Sequence, residues 1–460
     1  MAQSSRLKAQ SYNNMKQKLI ILGAGESGVG AALLGKKKGY DVFVSDSGII
    51  SDGHRNELVE NEILFEEGHH SPEKIFEASE VIKSPGIPEK NELVKEIRKR
   101  GIEIIDEIEF AYRHKGESKV LAITGSNGKT TTTSMLFYMC ELGELDCAMV
   151  GNIGFSFARQ VALDPKDVYV VEVSSFQLDN IKTFKPDIAV LTNITEDHLD
   201  RYEYKFENYI KSKFRIIENQ TEEDVFIYNA DDEITTKYIQ RFLKSSKTLQ
   251  ITMDKKLPEG AYISNAEMHL KWRTEEMVMS VEDFAVKGKH NQYNTMAAGL
   301  SAGVMGIRKE KIRDAVQTFQ SLDHRMATVA TIRGIEFIND SKATNTNSTW
   351  YALESMTKPV ILILGGVDKG NNYSILNELV EEKVKAIICM GVDNSKLHEA
   401  FGKTVKMMVD TSSAVEAVNA AFHFADKGDV VLLSPACASF DLFKNYEDRG
   451  LQYIEAIKNL

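Results

Sequence analysis

Residues 123–133, ITGSNGKTTTT, set a Gly-Lys-Thr triplet (Gly128, Lys129, Thr130) behind a glycine-containing turn. That order suits phosphate chemistry. Backbone N–H groups at a helix start and the positive end of the helix dipole face an anion, Lys129 reaches the outer phosphates, and the Thr130 hydroxyl ligates Mg²⁺. The usual G-x-x-x-x-G-K-[ST] spelling asks for glycine where Ile123 stands, and the upstream glycine is Gly125. Spelling alone therefore leaves open a Gly-Asn turn that merely caps a helix. The Lys-Thr pair after Gly128 favours the phosphate reading.

Further reactive types follow downstream. Glu172 ends an apolar run in DVYVVEVSSFQLD, where a carboxylate needs a compensating partner such as Mg²⁺ or else a surface edge. IAVLTNITEDHLDRY brings Glu196, Asp197, His198 and Asp200 to the end of a strand, where catalytic groups of open α/β sheets gather. In YKFENYIKSKFRIIEN, Phe206, Ile210, Phe214 and Ile217 mark a buried helical face, with Lys213 at its edge. A desolvated lysine shifts toward the neutral amine that reacts with CO₂, although spacing alone reads Lys213 as a structural lysine with a snorkelling stem. Asn291 and Asn294 open an Ala-rich helix, as adenine-edge partners or as caps. Arg325, Asp340, Lys342 and Lys369 gather at strand or linker ends and suit a site for phosphate and a carboxylate-bearing substrate.

These groups need sheets to hold them. KVLAIT (residues 119–124) predicts a buried strand feeding the phosphate loop, and residues 131–143 a helix after it. Upstream, a strand over 18–22 runs into Gly23-x-Gly25-x-x-Gly28 and a helix, and DVFVSD ends on Asp46, where a dinucleotide fold places its ribose-binding acid. The same architecture holds any nucleotide diphosphate. EVIK is followed by the turn SPGIP, Ser84 to Pro88, at the edge of the same sheet. A third block (IEFIN, PVILILGG, AIICMG, DVVLLSPACASF) predicts another parallel α/β sheet without a phosphate loop. The expected architecture is α/β with three domains: an N-terminal Rossmann-like domain over 17–116, a central P-loop ATPase-type domain with a parallel or mixed sheet over 117–321, and a C-terminal Rossmann-like domain over 322–460.

Composition narrows the function classes. A formal charge of −11 with no long basic tract argues against nucleic-acid binding. Four cysteines (Cys140, Cys147, Cys389, Cys437) in apolar surroundings and without metal-ligand spacing suit reduced thiols in a cytoplasmic protein. No 18-residue apolar run predicts a membrane span, and residues 1–17 carry no apolar core of a signal peptide.

Taken in order, TGSNGKTTT, GNIG, VVEVSSFQL, TNITEDHLDRY, the lysine-bearing helix, HNQYN, DHR, NDSKATN, LGG and SPACASFDLFKNYEDRG resemble the Mur ligases of bacterial cell-wall synthesis. The last of these motifs favours the branch that adds D-glutamate. The family's phosphate loop is a shortened T-G-x-N-G-K-T variant, which accommodates Ile123. The resemblance implies an ATP-dependent, ADP-forming amide ligase that joins UDP-N-acetylmuramoyl-L-alanine to D-glutamate through an acyl phosphate, as a monomer. It implies ATP contacts from Gly125, Asn127, Gly128, Lys129, Thr130, Thr131, Asn291, Asn294, His324, Arg325 and Asp340. Two Mg²⁺ ions would be held by Thr130, Glu172, His198 and a CO₂-derived carbamate on Lys213, with Lys129, His198 and Lys213 catalytic. The UDP-sugar falls to Gly25, Ser27, Asp46, Ser47, Ser84, Pro85, Gly86 and Asn152. D-glutamate falls to Lys342, Thr344, Lys369, Ser439, Phe440 and Tyr446; the family often carries Phe at the position of Tyr446 and Leu at that of Phe440. A dehydrogenase would use GAGESG and leave TGSNGKTTT idle, and a regulatory nucleotide binder would leave Glu172, His198 and Lys213 without work. A folylpolyglutamate synthase of the same superfamily lacks the first block.

Overall fold

Short β-branched runs separated by helices are buried on both faces only as parallel strands, and here they sort into three sheets. The computed structural model describes residues 17–319, 326–368 and 371–460. The first sheet joins β1 (Lys18–Leu22), β2 (Asp41–Ser45), β3 (Leu64–Glu66), β4 (Glu80–Lys83) and β5 (Glu103–Ile105), in the order β3-β2-β1-β4-β5 and parallel throughout. Its direction of winding reverses between β1 and β4. The loops after these strands, one glycine-rich and the other SPGIP, therefore flank the crevice where open α/β sheets bind ligands.

The central sheet contains β6 (Lys119–Thr124), β7 (Cys147–Gly151), β8 (Val168–Glu172), β9 (Ile188–Leu191), β10 (Val225–Asn229), β11 (Lys247–Thr252), β12 (Gly260–Ser264), β13 (Glu267–Trp272) and β14 (Glu275–Ser280). The order is β14-β13-β12-β11-β10-β9-β6-β8-β7, parallel up to β12 and antiparallel at the β12-β13-β14 meander. The third sheet, β15 (Ala327–Ile332), β16 (Ile335–Asn339), β17 (Val360–Gly365), β18 (Val384–Met390), β19 (Met408–Thr411) and β20 (Val430–Ala436), runs β15-β16-β20-β17-β18-β19. It is not wholly parallel as the sequence predicts. β15 and β16 form an antiparallel hairpin across the Arg333-Gly334 turn, where both residues have positive φ, as a two-residue hairpin turn requires.

The first two sheets are not independent bodies. Helix α1 (Glu26–Lys37) packs on helix α4 (Phe157–Leu163) of the central domain so closely that a Cβ on Gly30 would lie 1.8 Å from Ser156 Oγ. One apolar cluster runs from Leu19 and Val29 through Phe110 to Phe157, Tyr169 and Phe226. The third sheet has separate apolar clusters on its two faces, built around Leu362 and Ile363.

The shared core also buries acid. Glu107, in helix α2 (Glu107–His114), is 1% exposed and accepts from the Ala158 N–H at the start of α4. Burial pushes its carboxyl up to about 7, and pushes up its neighbour Asp106 as well. A folded-state value above the unfolded one stabilises fully below the unfolded pKa near 4.5, and that stability is lost as pH climbs through about 7. The shift corresponds to about 3 kcal/mol. Thermal melts between pH 5 and 8 are therefore expected to show a falling midpoint, and Glu107→Gln to flatten that fall. An unchanged slope in the variant would place the titration elsewhere.

Candidate active site

The phosphate loop leaves β6 in the interior of the central sheet, between β9 and β8. Gly125 has φ +150° and Gly128 φ +81°, a range L side chains rarely adopt. A Cβ on Gly125 would lie 1.9 Å from Thr192 Oγ1, and one on Gly128 2.3 Å from Asn294 Oδ1. The loop is thus clasped from both sides. Ser126 N donates to Asn193 O (2.9 Å), Asn127 N to Asn193 Oδ1 (3.0 Å), and Thr195 N to Ser126 Oγ (2.9 Å). Helix α3 (Lys129–Leu142) starts two residues earlier than its sequence pattern suggests, because Gly128 takes the left-handed N-cap position. Lys129 and Thr130 therefore sit in its first turn. Lys129 Nζ donates to the carbonyls of Gly125 and Ser126, 2.8 Å each, so the cation lies against its own loop.

Glu172 closes β8 in register with Ile123 and is 1% exposed; Asn152, from the loop after β7, donates to its Oε1 at 2.8 Å. Thr130, 2% exposed, starts the helix after the adjacent strand. His198 takes a left-handed backbone (φ +52°), with Nε2 3.6 Å from Asp197 Oδ2 and its ring edge-on to Phe176 at 5.0 Å.

Lys213 departs from its predicted place at the edge of a face. It lies in helix α5 (Phe206–Phe214), 2% exposed, because the chain around Ser175 to Ile181 covers that side of the helix: Ser212 Oγ donates to Ser175 O at 2.8 Å and Arg215 reaches Asp179 O and Ile181 O. Its Nζ lies 4.9 Å from the Tyr209 ring centre and makes no hydrogen bond or ion pair among the described residues. Burial, reinforced by the charge of Lys129, holds this amine well below the ordinary lysine range, against the opposing pull of Asp197 and Glu172. Tyr209 shares a 3.1 Å hydrogen bond with Ser126 Oγ, which ties the lysine helix to the phosphate loop.

In front of the loop lies a cleft of about 660 Å³. One wall carries Asn127, Gly128, Asn291 and Asn294; the other carries Asp340, Lys342, Ser348 and Tyr351 from the third domain. Helix α6 (Lys289–Met305) is capped at Gly288, so Asn291 sits in its first turn and Asn294 in its second, and neither is a cap. Asn294 Nδ2 donates to Asn291 Oδ1 (3.1 Å), and Thr132 Oγ1 to Asn294 Oδ1 (3.2 Å). Across the cleft, Asp340 accepts from Ser434 Oγ (2.9 Å), and Lys342 Nζ lies 3.6 Å from the Tyr446 ring centre. Thr344, Ser439 and Phe440 do not line the cleft; Ser439 is buried and Phe440 is 70% exposed. Thr131 lines it, while His324, Arg325 and Lys369 lie outside the described residues.

Sequence reasoning missed three cleft features. Asn345 caps helix α7 (Thr346–Glu354) and donates to Asp197 Oδ2 (3.3 Å), while Ser348 Oγ donates to Asn127 Oδ1 (2.8 Å), so the third domain touches the phosphate loop itself. Asn345 is the last residue of the NDSKATN motif and Ser348 lies three residues beyond it, and that motif was the only pointer to them. His290, beside the predicted asparagines, is held neutral by burial, which lowers it to about 4. Arg449, 1% exposed, donates to Ser341 O (2.7 Å) and Ser341 Oγ (3.0 Å), fixing the residue between Asp340 and Lys342.

The first sheet presents its loops toward the same region. Gly23 approaches Ser84, where a Cβ would lie 2.6 Å from Oγ. Asp46 accepts from Ala24 N and Gly48 N, 2.7 Å each, so it braces the glycine loop that carries Gly25 and Ser27, and beside it Ser47 is exposed. Glu26, in the first turn of α1, pairs with Arg159 at 2.8 Å. Arg201, in the short helical turn after His198, donates to Pro85 O and Gly86 O. Away from the cleft, the fold brings together Cys389, His398 and Asp410, a grouping that linear spacing could not reveal; His398 Nε2 and the Asp410 carboxylate already pair at 2.9 Å. No helix among the described residues is long and apolar enough to cross a membrane.

Three family profiles match the chain: "Mur ligase MurD-like, N-terminal domain" over 17–106, "Mur ligase middle domain" over 123–302, and "Mur ligase, glutamate ligase domain" over 324–437. The chain is 52% identical to the UDP-N-acetylmuramoylalanine–D-glutamate ligase of Christiangramia forsetii over 97% of its length and 100% of that protein. It is 49% identical to the enzyme of that name from Bacteroides fragilis, over 96% and 100%. Among solved structures it is similar to the UDP-N-acetylmuramate-alanine ligase MurC of Thermotoga maritima (TM-score 0.62, 17% identity, 97% and 100% coverage) and to MurF of Acinetobacter baumannii (TM-score 0.62, 15% identity, 95% and 93% coverage). At these identities the two structures speak for the fold.

Proposed function

The chain belongs to the Mur ligase family, and we propose that its three domains perform one reaction, with residues 17–116 holding the UDP-sugar, 117–321 the ATP and 322–460 the amino acid. The protein is an ATP-dependent ligase that forms the amide bond between UDP-N-acetylmuramoyl-L-alanine and D-glutamate in peptidoglycan precursor synthesis. One observation supports the residue assignments above all. The phosphate loop, the Glu172 strand end and the buried Lys213 amine meet behind a cleft whose opposite wall comes from the third domain.

A carboxylate is a poor electrophile until its oxygen becomes a leaving group. The muramoyl-alanine carboxylate oxygen attacks the γ-phosphorus of ATP, the bond to the ADP oxygen breaks, and an acyl phosphate forms. The D-glutamate amine then attacks the acyl carbon, the bond to phosphate breaks, and the amine loses a proton. The Lys129 ammonium, now lying on two loop carbonyls, turns to the β- and γ-phosphate oxygens as they enter, where it offsets the charge of two anions brought together. Loop N–H groups and the α3 N-terminus orient the same phosphates.

Thr130, in the first turn of α3, and Glu172, at the end of β8 beside the strand that feeds that helix, are hard oxygen donors, a set that fits Mg²⁺. His198 and Lys213 would hold a second ion. Bound Mg²⁺ supplies charge neutralisation at the transferring phosphoryl group. For that role Lys213 needs to become an anion: the lone pair of its neutral amine adds to the carbon of CO₂ and a proton is released, giving a carbamate. Burial of the amine with no hydrogen bond among the described residues supports this step. Asn345 and Ser348 hold the third domain against the loop and screen the acyl phosphate from water.

Phosphate release from Mg·ATP with UDP-N-acetylmuramoyl-L-alanine, comparing D-glutamate, L-glutamate, L-alanine and meso-diaminopimelate, tests the reading. Release that depends on D-glutamate, with a product heavier by one glutamyl residue, is expected. Release with another acceptor would move the chain to a different branch of the family.

A further inference from the structure

The motif TNITEDHLDRY supplies an arginine that the reaction above does not use. Arg201 ends the helical turn Leu199–Arg201, three residues after His198. Its Nη2 donates to Pro85 O at 2.9 Å and its Nη1 to Gly86 O at 3.2 Å, both in the SPGIP loop of the first sheet. The guanidinium lies over the Phe176 ring, 4.4 Å from its centre, and the Phe176 ring meets His198 at 5.0 Å. Phe176 also stacks on Tyr202 at 6.0 Å. Among the described residues no carboxylate pairs with Arg201. Both of its side-chain hydrogen bonds join a sugar-nucleotide loop to the loop that carries a candidate metal ligand, and its ring contact is to the phenyl group that touches that ligand.

We propose that Arg201 is a positioning residue that sets the distance between the UDP-sugar loop and the His198 loop, so that the sugar-linked carboxylate arrives in line with the γ-phosphate. This rests on the assigned function, which places the UDP-sugar at Ser84 to Gly86. A guanidinium suits the task because its planar fork donates to two successive carbonyls while its face stacks on an aromatic ring. Other contacts between the first and central domains, among them Glu26 with Arg159, Arg98 with Asn180, Glu109 with the backbone of Lys182 to Phe184, and the shared apolar core, hold the bodies together without using the His198 loop. Loss of Arg201 therefore leaves the domains docked and loosens one loop. Misplacement by about 1 Å costs about a hundredfold in rate.

The test compares Arg201→Ala and Arg201→Lys with wild type by steady-state kinetics in each substrate, calorimetric binding of UDP-N-acetylmuramoyl-L-alanine, and thermal melts. The alanine variant is expected to lose about a hundredfold in kcat and about tenfold in affinity for the UDP-sugar. Its KM for ATP should stay within about twofold, and lysine, which keeps one donor, should recover part of the loss. Unchanged UDP-sugar binding and kcat would overturn the proposal, as would equal losses toward ATP and UDP-sugar with a lowered midpoint. The binding arm reads Arg201 without turnover. Absence of D-glutamate-dependent phosphate release in wild type would instead remove the assigned reaction.

Discussion

Lys213→Met is expected to lower ligation at least about a thousandfold while leaving the thermal midpoint in place. The rate loss corresponds to about 4 kcal/mol of transition-state stabilisation, the scale on which a charge aimed at a transferring group acts in a dry site. Stability should hold because the present amine is buried without a hydrogen bond among the described residues, and methionine fills nearly the same volume without that desolvation cost. The wild-type rate should fall in CO₂-depleted buffer and return on adding bicarbonate, and ¹³C-bicarbonate should give a carbamate resonance that the variant lacks. Because burial lowers this amine well below the usual lysine range, the reactive neutral form should be available at neutral pH. A variant that keeps more than a tenth of the wild-type rate, or a wild type indifferent to bicarbonate, would return Lys213 to a packing role.

Glu172→Gln is expected to separate function from stability just as sharply. The amide keeps the size of the side chain and one acceptor for Asn152, yet loses the anion that a divalent ion requires. We expect kcat to fall by about two to three orders of magnitude and the Mg²⁺ concentration for half-maximal rate to rise. The midpoint should not fall, since a buried charge is replaced by a neutral group of the same shape. An unaltered Mg²⁺ dependence would show that the ion sits elsewhere.

The elements that position these residues were legible where sequence period and burial coincide. The strands at Lys18–Leu22 and Lys119–Thr124 were predicted to the residue because continuous apolar runs between a polar start and a glycine turn allow little else. The antiparallel β15–β16 hairpin escaped because its exposed first strand, ATVATI, carries no buried pattern to orient it. Lys213 was misplaced for a related reason: helical spacing describes one face of a helix, whereas α5 is covered on a second side by a chain segment some thirty residues away in sequence. Tertiary contacts of that kind leave no periodic trace. The same holds for Asn345 and Ser348, whose partners Asp197 and Asn127 lie in a different domain. Asp46, placed by analogy with a ribose acid, braces its own loop, and Glu26 sets a negative charge in the helix turn where a dinucleotide fold would receive a pyrophosphate.

The continuous core shared by the first two domains, set against the separate cores of the third, has a bearing on inhibitor discovery. The walls of the 660 Å³ cleft belong to two bodies: the helix of Asn291 and Asn294 shares a core with the helix that follows the phosphate loop, whereas the side of Asp340 and Lys342 reaches that loop through the polar contacts of Asn345 and Ser348. A compound confined to the side of Asn291 and Asn294 binds every molecule in solution. If the third domain moves as a body, as a domain with its own core can, a compound that spans to Asp340 and Lys342 binds only the fraction whose walls are together, and its apparent dissociation constant is the intrinsic one divided by that fraction. Potency ranked by screening therefore mixes fit with occupancy of the shut form, and a spanning compound should gain apparent affinity whenever a second ligand draws the walls together.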